Sequence, residues 1–411
     1  MLALIIAPYS LPAQVMATKG VMDLRHWNFD KLGPLKLSGE WEIFMSEFVA
    51  PQAIHRNSQP LEYIDFPSTW NDLSKSLHPG FGFATYHVKV ILPQAGDMAL
   101  ELPHLYSNYK LWINSELIAA NGEVGATEKT SLPQWLPQTV SFNAAHETLD
   151  IVIQVSNFHH AKGGIREPIV IGKSDQLVRK REIAVNSNLV LFTSLFVTAL
   201  IFVLIFVFFK RDHATLYFSL LCIAWAIRSI FSNLYVWTSF FPNSPWELVV
   251  KVEYITLYAT MISAILLLSS LFPNDVNKFF KYFLCICNAI FIALTLFFKA
   301  SLYTQFLPVY LSFCLVLLVY IIYVLIRAVV YEREGVWLIV SCLILGVVIF
   351  SYDLIAYQGI AAFNSIIINV GYLVMFLLLA TSLAYQLGFI KRPVRKGSIL
   401  TYEDLFGTEG K

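Results

Sequence analysis

The first 221 residues of this 411-residue chain contain no cysteine. All five cysteines lie in the second half, at Cys222, Cys285, Cys287, Cys314 and Cys342. A disulfide framework therefore cannot hold the N-terminal half together. Since Cys285 and Cys287 are two residues apart in an apolar run, they fall on different faces of a helix. We interpret the cysteines as small hydrophobic residues and expect no metal site among them.

Charged residues are also scarce. They make up 14% of the sequence, hydrophobic residues make up 57%, and the mean hydropathy is +0.61. These values are far from those of an average soluble domain. The excess is uneven, because charges and turn residues are frequent before about residue 180, whereas long apolar runs dominate from residue 189 onward. The chain is therefore divided between water and a lipid bilayer.

The motifs of catalysis and cofactor binding are missing as well. The sequence contains no His-Glu-x-x-His, no Gly-x-Ser-x-Gly, no phosphate loop and no kinase histidine box. It has no basic stripe with interleaved aromatic residues, and the last apolar run has no lysine for a retinal Schiff base. We expect neither an enzyme nor a nucleic-acid-binding protein, and we expect no cofactor.

Seven segments are long and apolar enough to cross a bilayer, whose hydrocarbon core needs about 20 residues of helix. They are residues 189–209, 214–234, 247–272, 280–298, 302–326, 336–358 and 363–387. The first, fifth and seventh contain no charged residue, which is rare for a soluble helix. We predict a seven-helix membrane domain over residues 181–390 and a short cytoplasmic tail over residues 391–411.

The orientation is predicted from lysine and arginine in the short connections. The connections after the first, third, fifth and seventh spans hold most of them: Lys210, Arg211, Lys278, Lys281, Arg327, Arg333, Lys391, Arg392, Arg395 and Lys396. Arg179-Lys180-Arg181, just before the first span, points the other way but is outweighed. We expect a cytoplasmic C-terminus and an outer N-terminal half. The apolar stretch before Val15-Met16-Ala17 predicts a signal peptide over residues 1–17.

Residues 18–180 are rich in strand signals. Strand-forming runs occur at residues 84–92, 98–102, 109–119, 148–155 and 168–171, and turn signals such as Asn121-Gly122 separate them. Because no amphipathic helix intervenes, we predict an all-β sandwich or barrel. About 160 residues are enough to bury a core without disulfides.

Short motifs in this region resemble the galactose-binding-like jelly rolls of carbohydrate-binding modules and β-glycosidases. They lie at residues 39–41, 66–70, 82–86, 90–93, 111–114, 121–125 and 155–157. Those relatives usually have Asn-Gly after the Leu-Trp-Ile strand, whereas this chain has Asn114-Ser115, and we expect serine to be tolerated in the turn. A jelly roll followed by seven helices resembles the bacterial seven-transmembrane receptors with diverse intracellular signalling modules, over about residues 20–390.

This resemblance implies a protein of the bacterial inner membrane whose periplasmic domain binds a small ligand, for example a carbohydrate. The seven helices would relay the signal across the lipid bilayer to a cytoplasmic effector. Because the tail is too short for a catalytic domain, we expect the effector to act in trans or to be missing from this chain.

Candidate ligand-binding residues are aromatic side chains, which stack on sugars, and the polar residues of the loop at 157–166. They are Trp70, Tyr106, Tyr109, Trp135, His159, Lys162 and Arg166. The alternative is that the aromatic residues fill the sandwich core and that the loop is structural. The adjacent His159 and His160 do not predict a metal site, since no cysteine or carboxylate cluster accompanies them.

Three charged residues lie within predicted spans, where a charge is costly: Arg228, Glu253 and Asp353. We expect Arg228 to pair with Asp353 or Glu253, as part of a switch or as a static pair. The leading hypothesis is a sensory receptor. The alternative is a transporter or an accessory subunit of an envelope polysaccharide system, which the lack of an internal repeat and of helix breaks disfavours.

Overall fold

The computed structural model describes residues 15–54, 62–72, 80–106, 108–208, 212–333, 335–357 and 364–386, with the backbone alone at 353–354 and 356–357. A β-sandwich comes first along the chain and a helical bundle follows it. The predicted order of an all-β domain and a helical membrane domain is confirmed.

The sandwich contains two main sheets. Its strands are β1 (Val21–Asp23), β2 (Leu35–Leu37), β3 (Gly39–Met45), β4 (Glu62–Phe66), β5 (Ser68–Thr69), β6 (Gly82–Ile91), β7 (Gly96–Leu102), β8 (Asn108–Ile113), β9 (Glu116–Asn121), β10 (Gln138–Ala144), β11 (Thr148–Asn157), β12 (Gly164–Ile165) and β13 (Ile169–Lys173). One sheet has the order β4-β3-β6-β11-β8-β9, with β1 also paired to β6, and the other has the order β10-β7-β13-β2. The pair β12-β5 forms a small third sheet. A short helix, α1 (Phe29–Leu32), and a 3₁₀ turn (Trp70–Asp72) lie between strands.

The core lies between the two main sheets and follows the two-residue period of the strands. In β6, alternate residues from Ala84 to Val90 are buried in the core, and β11 faces it with Leu149, Ile151 and Ile153. The second sheet closes the core from the opposite side with residues such as Leu100. Since this core is continuous and large, the sandwich needs no disulfide, as predicted.

One predicted strand, residues 109–119, is a hairpin. It divides into β8 and β9, and the two residues between them, Asn114 and Ser115, both have positive φ angles of 51° and 70°. Two consecutive left-handed residues form the type of tight turn that matches the twist of a hairpin. The expectation that Ser115 takes the usual place of glycine is confirmed.

A strand of the sandwich continues directly into the first long helix, α2 (Ser174–Phe208). Leu177 in the first turns of α2 is 1% exposed, because these turns pack against β7, β10 and β13. The side chain of Gln176 donates a hydrogen bond to the carbonyl oxygen of Phe29, and Lys180 Nζ lies 2.6 Å from a carboxylate oxygen of Glu101. The helix therefore begins on the sandwich, before the predicted boundary at residue 180.

Eight further helices follow α2. They are α3 (His213–Phe231), α4 (Val236–Phe240), α5 (Trp246–Leu271), α6 (Lys278–Phe297), α7 (Ala300–Tyr303), α8 (Leu307–Val330), α9 (Val336–Tyr357) and α10 (Ser365–Gln386), among the residues that the structure describes. Helices α2, α3, α5 and α6 pack one against the next, α9 packs against α8 and α10, and α10 returns to pack against α2. All five cysteines lie within these helices and are free thiols.

Six helical segments are long and apolar enough to cross a membrane within the described ranges: α2, α3, α5, α6, α10 and the continuous stretch from Ala300 to Val330. Six of the seven predicted spans are therefore confirmed in length and composition. The remaining predicted span corresponds to α9, whose described apolar stretch runs from Val336 to Tyr352. Asp353 follows this stretch, and its predicted pairing lies outside the described side chains.

A buried carboxylate ties two connections together at the end of the bundle away from the sandwich. Asp275, between α5 and α6, has a fully buried side chain and accepts a hydrogen bond of 2.9 Å from Nε of Arg333, between α8 and α9. Nε of Arg327 lies 3.8 Å from the other carboxylate oxygen. Two of the basic residues that predicted the orientation thus compensate this buried charge.

Candidate functional site at the sandwich–bundle junction

Three connections of the sandwich meet the near end of the helical bundle. They are the connections β7–β8, β9–β10 and β11–β12, which the antiparallel strand order places at one end of the sandwich. The bundle contributes the connection from α3 to α5. Seven aromatic or imidazole side chains from these segments form the junction cluster: His104, Tyr106, Trp135, His159, His160, Tyr235 and Trp246.

Trp135 lies at the centre of the junction cluster. Its ring centroid is 5.0 Å from that of Tyr235 and 5.5 Å from that of Trp246, both on the bundle side. On the sandwich side it is 5.5 Å from His104 and 5.7 Å from His160. Trp135 is 3% exposed, so this sandwich residue packs into a hydrophobic core that belongs mainly to the helices.

The histidines are held by a loop whose shape depends on Asn157. Its amide group donates hydrogen bonds to the carbonyl oxygens of Gly80, His160 and Lys162, and its carbonyl oxygen accepts one from the backbone of His160. A side chain at Gly163 would collide with the backbone of Gly80. One amide and one glycine thus fold this segment tightly against the sandwich, which explains why the loop is rich in glycine.

Direct hydrogen bonds cross the junction beside the rings. The side-chain amide of Gln134 donates to the carbonyl oxygen of Pro242 over 2.8 Å, and the backbone N–H of Ala161 donates to Oγ1 of Thr304 over 3.1 Å. Arg181 of α2 donates to the hydroxyl of Ser239 in α4 over 3.1 Å. The sandwich is therefore docked on the bundle by polar contacts as well as by aromatic packing.

Tyr235 carries the contact from the junction cluster into the helices. Its hydroxyl donates to Oε2 of Glu253 in α5 over 3.0 Å, while Nη1 of Arg228 in α3 donates to the backbone carbonyl oxygen of Glu253 over 2.9 Å. Arg228 and Glu253 are neighbours, but Arg228 bonds the peptide group and the described partner of the carboxylate is Tyr235.

The backbone of Tyr235 is strained. Its φ and ψ angles are 45° and 49°, in the left-handed region that bulky residues rarely occupy. Such a conformation costs on the order of 1–2 kcal/mol and is found where surrounding contacts enforce it. The ring contacts with Trp135 and His104 and the hydrogen bond to Glu253 are the contacts that enforce it here.

Burial shapes the electrostatics of the junction cluster. It lowers the pKa of His104 and of His159 below the ordinary value of imidazole, and it lowers the pKa of His160 to about 3. It also raises the pKa of Tyr106 to about 12. All four groups are therefore neutral at pH 7, which suits a water-poor contact between two domains.

The predicted ligand residues fall into two groups. Trp70 and Tyr109 are 1% and 0% exposed in the sandwich core, where Trp70 donates to the hydroxyl of Tyr86 and Tyr109 pairs with Gln138. These two rings fill the sandwich core, which was the alternative to ligand binding, and their burial gives no support to ligand contact.

The other predicted residues meet at the junction. Tyr106, Trp135 and His159 belong to the junction cluster, and Arg166 donates to the hydroxyl of Tyr106 over 3.4 Å. The backbone of Lys162 bonds both His160 and Asn157. Their ligand-binding role stays a prediction.

Sequence reasoning missed His104, His160, Tyr235 and Trp246 as members of the same site. Trp246 directly precedes the apolar run of α5, and an aromatic residue at the end of a span is a known sign of an interface. Across the described residues, no group of three or more His, Cys, Asp or Glu side chains is placed to hold a metal ion.

Comparison with known proteins gives one family and several distant structures. A family model for "7TM diverse intracellular signalling" matches residues 187–386. No curated protein matches the chain. Among solved structures, similarity is found to the β-glucuronidase of Faecalibacterium prausnitzii, with 17% identity, 34% of this chain and 31% of that chain covered, and a TM-score of 0.26.

Two further structures have the same level of similarity. A GH2 β-galacturonidase from Eisenbergiella tayi is 14% identical, with 34% of this chain and 24% of that chain covered and a TM-score of 0.23. The β-D-mannosidase of Dictyoglomus thermophilum is 11% identical, with 34% and 22% covered and a TM-score of 0.23. The chain thus spans a third or less of the length of these enzymes.

The fold and the junction define a multi-pass membrane protein with a β-sandwich docked on one end of its helices. The matched region begins at residue 187 within α2 and ends at Gln386, the last residue of α10. The membrane domain of this chain thus matches the model of the 7TM diverse intracellular signalling family over nearly its whole length.

Proposed function

We propose that this protein is a transmembrane sensory receptor that binds a small ligand on its sandwich and relays the signal through its helices to a cytoplasmic effector. The observation that carries the proposal is the double attachment of the sandwich. It is joined to α2 by an uninterrupted strand–helix transition and to α3 and α5 through the junction cluster. A change in either attachment would move helices that cross the membrane.

The proposed orientation places the sandwich in the periplasm. Arg179, Lys180 and Arg181 were the residues that opposed this orientation, and the last two have partners where the sandwich meets the helices, Glu101 and Ser239. Since these basic side chains serve the docking of the sandwich, they do not weigh against the basic connections at the far end of the bundle.

A polar groove on the sandwich is the proposed place for the ligand. It has a volume of about 830 Å³, within the range of small-molecule sites, and α2 forms one of its walls. The register of β7 and β10 places Asn143 opposite Asp97, and the amide of Asn143 donates to that carboxylate over 2.8 Å. Phe142, Lys173 and Ser174 are among the other residues that line the groove. Carboxylate, amide and aromatic groups together suit a neutral polyhydroxylated ligand such as a carbohydrate.

In this scheme the buried residues of the junction transmit the signal rather than bind the ligand. A ligand in the groove touches the first turn of α2, and α2 also contacts α4 through Arg181. Binding shifts the helices only by the difference in its affinity for their two arrangements. The groove and the junction cluster therefore act on the same set of helices.

A binding experiment on the full chain in lipid nanodiscs tests the proposal. We expect at least one member of an array of neutral mono- and disaccharides to bind, and Asp97→Asn to weaken that binding at least tenfold. Glu116→Gln, an exposed change on the other sheet, is the matched control and leaves binding unchanged. Failure of the whole array, or binding that Asp97→Asn does not alter, would contradict a carbohydrate sensor. Uptake of a saccharide by vesicles that contain this protein alone would favour the transporter.

A further inference from the structure

Three histidines of the sandwich lie at its junction with the helices, and two of them are in ring contact with residues of the helical domain. His104 is 5.2 Å from the ring of Tyr235, His159 is 6.2 Å from the ring of Trp246, and His160 stacks on Tyr106 at 4.8 Å. Two different connections of the sandwich supply them. No other part of the described structure brings three imidazoles to a contact between the two domains.

The surroundings of Nδ1 at two of these imidazoles favour the neutral form. The backbone N–H of Lys162 lies 3.0 Å from Nδ1 of His160, and the carbonyl oxygen of Lys162 lies 3.3 Å away. Because an amide N–H can only donate, the shorter contact requires an unprotonated Nδ1. Nδ1 of His159 is buried and has no hydrogen-bond partner among the described residues, so a proton there would meet no acceptor.

The charged surroundings do not compensate for protonation. Glu167 faces His104 but is accompanied by Arg166, and the groups that face His160 are His104 and Lys162. The groups around His159 are Glu128, Glu247 and Lys299. On the bundle side Tyr235 lies against the cluster, with Glu253 and Arg228 behind it. In all three imidazoles, burial outweighs the attraction of the nearby carboxylates and lowers the pKa.

We propose that His104, His159 and His160 form a proton-binding site at the junction, and that protonation of this site releases the sandwich from the helical bundle. The docked state excludes the proton because it surrounds the imidazoles with aromatic rings. The released state exposes them to water. Acid therefore acts on this protein as a ligand that favours the undocked arrangement, independently of any ligand in the groove.

The sign follows from linkage between protonation and docking. A histidine whose pKa is lowered by docking stabilises the docked state fully when the pH is above the pKa of a free imidazole, about 6.5. This stabilisation is lost progressively as the pH falls below that pKa. A release that also exposes His160, whose pKa burial lowers to about 3 from a free value near 6.5, is favoured about 30-fold by the change from pH 7.5 to pH 5.0. The other two histidines add to this change.

Hydrogen–deuterium exchange of the full chain in nanodiscs measures the release directly. The reporter is the amide of Ala161, which is bonded to Thr304 across the junction. After correction for intrinsic exchange rates, we expect the peptide that contains Ala161 to be protected at pH 7.5 and to exchange at least tenfold faster at pH 5.0. The triple variant His104→Gln, His159→Gln, His160→Gln has no titrating group and loses this pH dependence.

Two controls make the experiment decisive. His146→Gln, an exposed histidine elsewhere on the sandwich, keeps the wild-type pH dependence. If the triple variant does not fold, the single variants His104→Gln and His159→Gln are each expected to reduce the pH effect at least twofold. Equal protection of wild type at pH 7.5 and pH 5.0, or an unchanged pH effect in the histidine variants that fold, would overturn the proposal.

Discussion

The phenol of Tyr235 donates a hydrogen bond to the carboxylate of Glu253 over 3.0 Å, and the ring of the same tyrosine packs against Trp135 of the sandwich. One side chain thus contacts both the sandwich and the third long helix, α5. The backbone of Tyr235 is held in a left-handed conformation, so a loss of the contacts that hold it would allow the residue to relax to a conformation of lower energy.

Replacing Tyr235 by phenylalanine separates the two contacts. Tyr235→Phe keeps the ring at the junction and removes the bond to Glu253, so we expect a loss of stability of about 1 kcal/mol. Thermal unfolding of the protein in nanodiscs measures this loss as a lower Tm. Tyr282→Phe, an exposed tyrosine near the far end of the bundle, serves as the control and leaves the Tm unchanged. An equal Tm for Tyr235→Phe and wild type would show that the hydrogen bond does not contribute.

Trp135→Ala removes the ring at the centre of the junction cluster. We expect the docking of the sandwich on the helices to be weakened by on the order of 3 kcal/mol, because truncation of a buried tryptophan removes packing contacts on every side. The sandwich core does not depend on this ring, so the domain stays folded. Limited proteolysis should therefore cut near residues 235–246 in the variant and not in wild type. The exposed Trp337 is changed to alanine as the control. Resistance of both variants to proteolysis would contradict the central position of Trp135.

Asp275→Asn tests the ion pair at the far end of the bundle. The change leaves Arg333 and Arg327 without the charge that they face, and we expect a loss of about 2 kcal/mol. Thermal unfolding in nanodiscs provides the measurement, and Asp175→Asn on the exposed start of α2 is the control. A destabilisation equal to that of the control would mean that the pair is not needed to hold the connections.

His87 in the sandwich predicts a pH dependence of the opposite sign to that of the junction. Burial lowers its pKa, but the hydrogen bonds with Asp150 and Glu42 outweigh burial and raise the pKa above 6.5. The stabilisation is therefore fully present below pH 6.5 and is lost as the pH rises through the raised value. We expect His87→Gln to flatten the alkaline decline of sandwich stability measured by circular dichroism. The same decline in wild type and variant would contradict this assignment.

Much of the architecture could be predicted because it depends on composition and period. Long apolar runs predict membrane helices from the cost of burying polar groups in lipid, and six of the seven spans agree with the structure. The resemblance to jelly rolls indicated a tight turn at Asn114-Ser115, whereas the strand pattern had predicted residues 109–119 as one strand. The predicted strand runs did not include β1 to β5, β10 and β12, and four of these strands, β1, β2, β5 and β12, have at most three residues.

The junction could not be predicted because it depends on contacts between distant parts of the chain. Trp135 and Trp246 are separated by 111 residues, and nothing in either local sequence indicates that they touch. Likewise Arg228 and Glu253 were expected to pair as charges. In the structure, the carboxylate of Glu253 instead accepts a hydrogen bond from Tyr235, and Arg228 bonds the backbone of Glu253. The sequence identified polar residues in the spans, and only the fold identified their partners.

Cysteine cross-linking across the junction tests most directly whether the sandwich is docked on the helices. Gln134→Cys and Pro242→Cys are introduced into a chain whose five native cysteines are replaced by serine, and membranes are treated with a short bis-methanethiosulfonate. Because the side chain of Gln134 bonds the backbone of Pro242, we expect nearly complete intramolecular cross-linking. Gln134→Cys paired with Phe279→Cys, at the far end of a bundle about 40 Å long, should give none. Failure of the first pair to cross-link, or equal cross-linking of both pairs, would contradict a sandwich docked on the helical bundle beside the connection from α3 to α5.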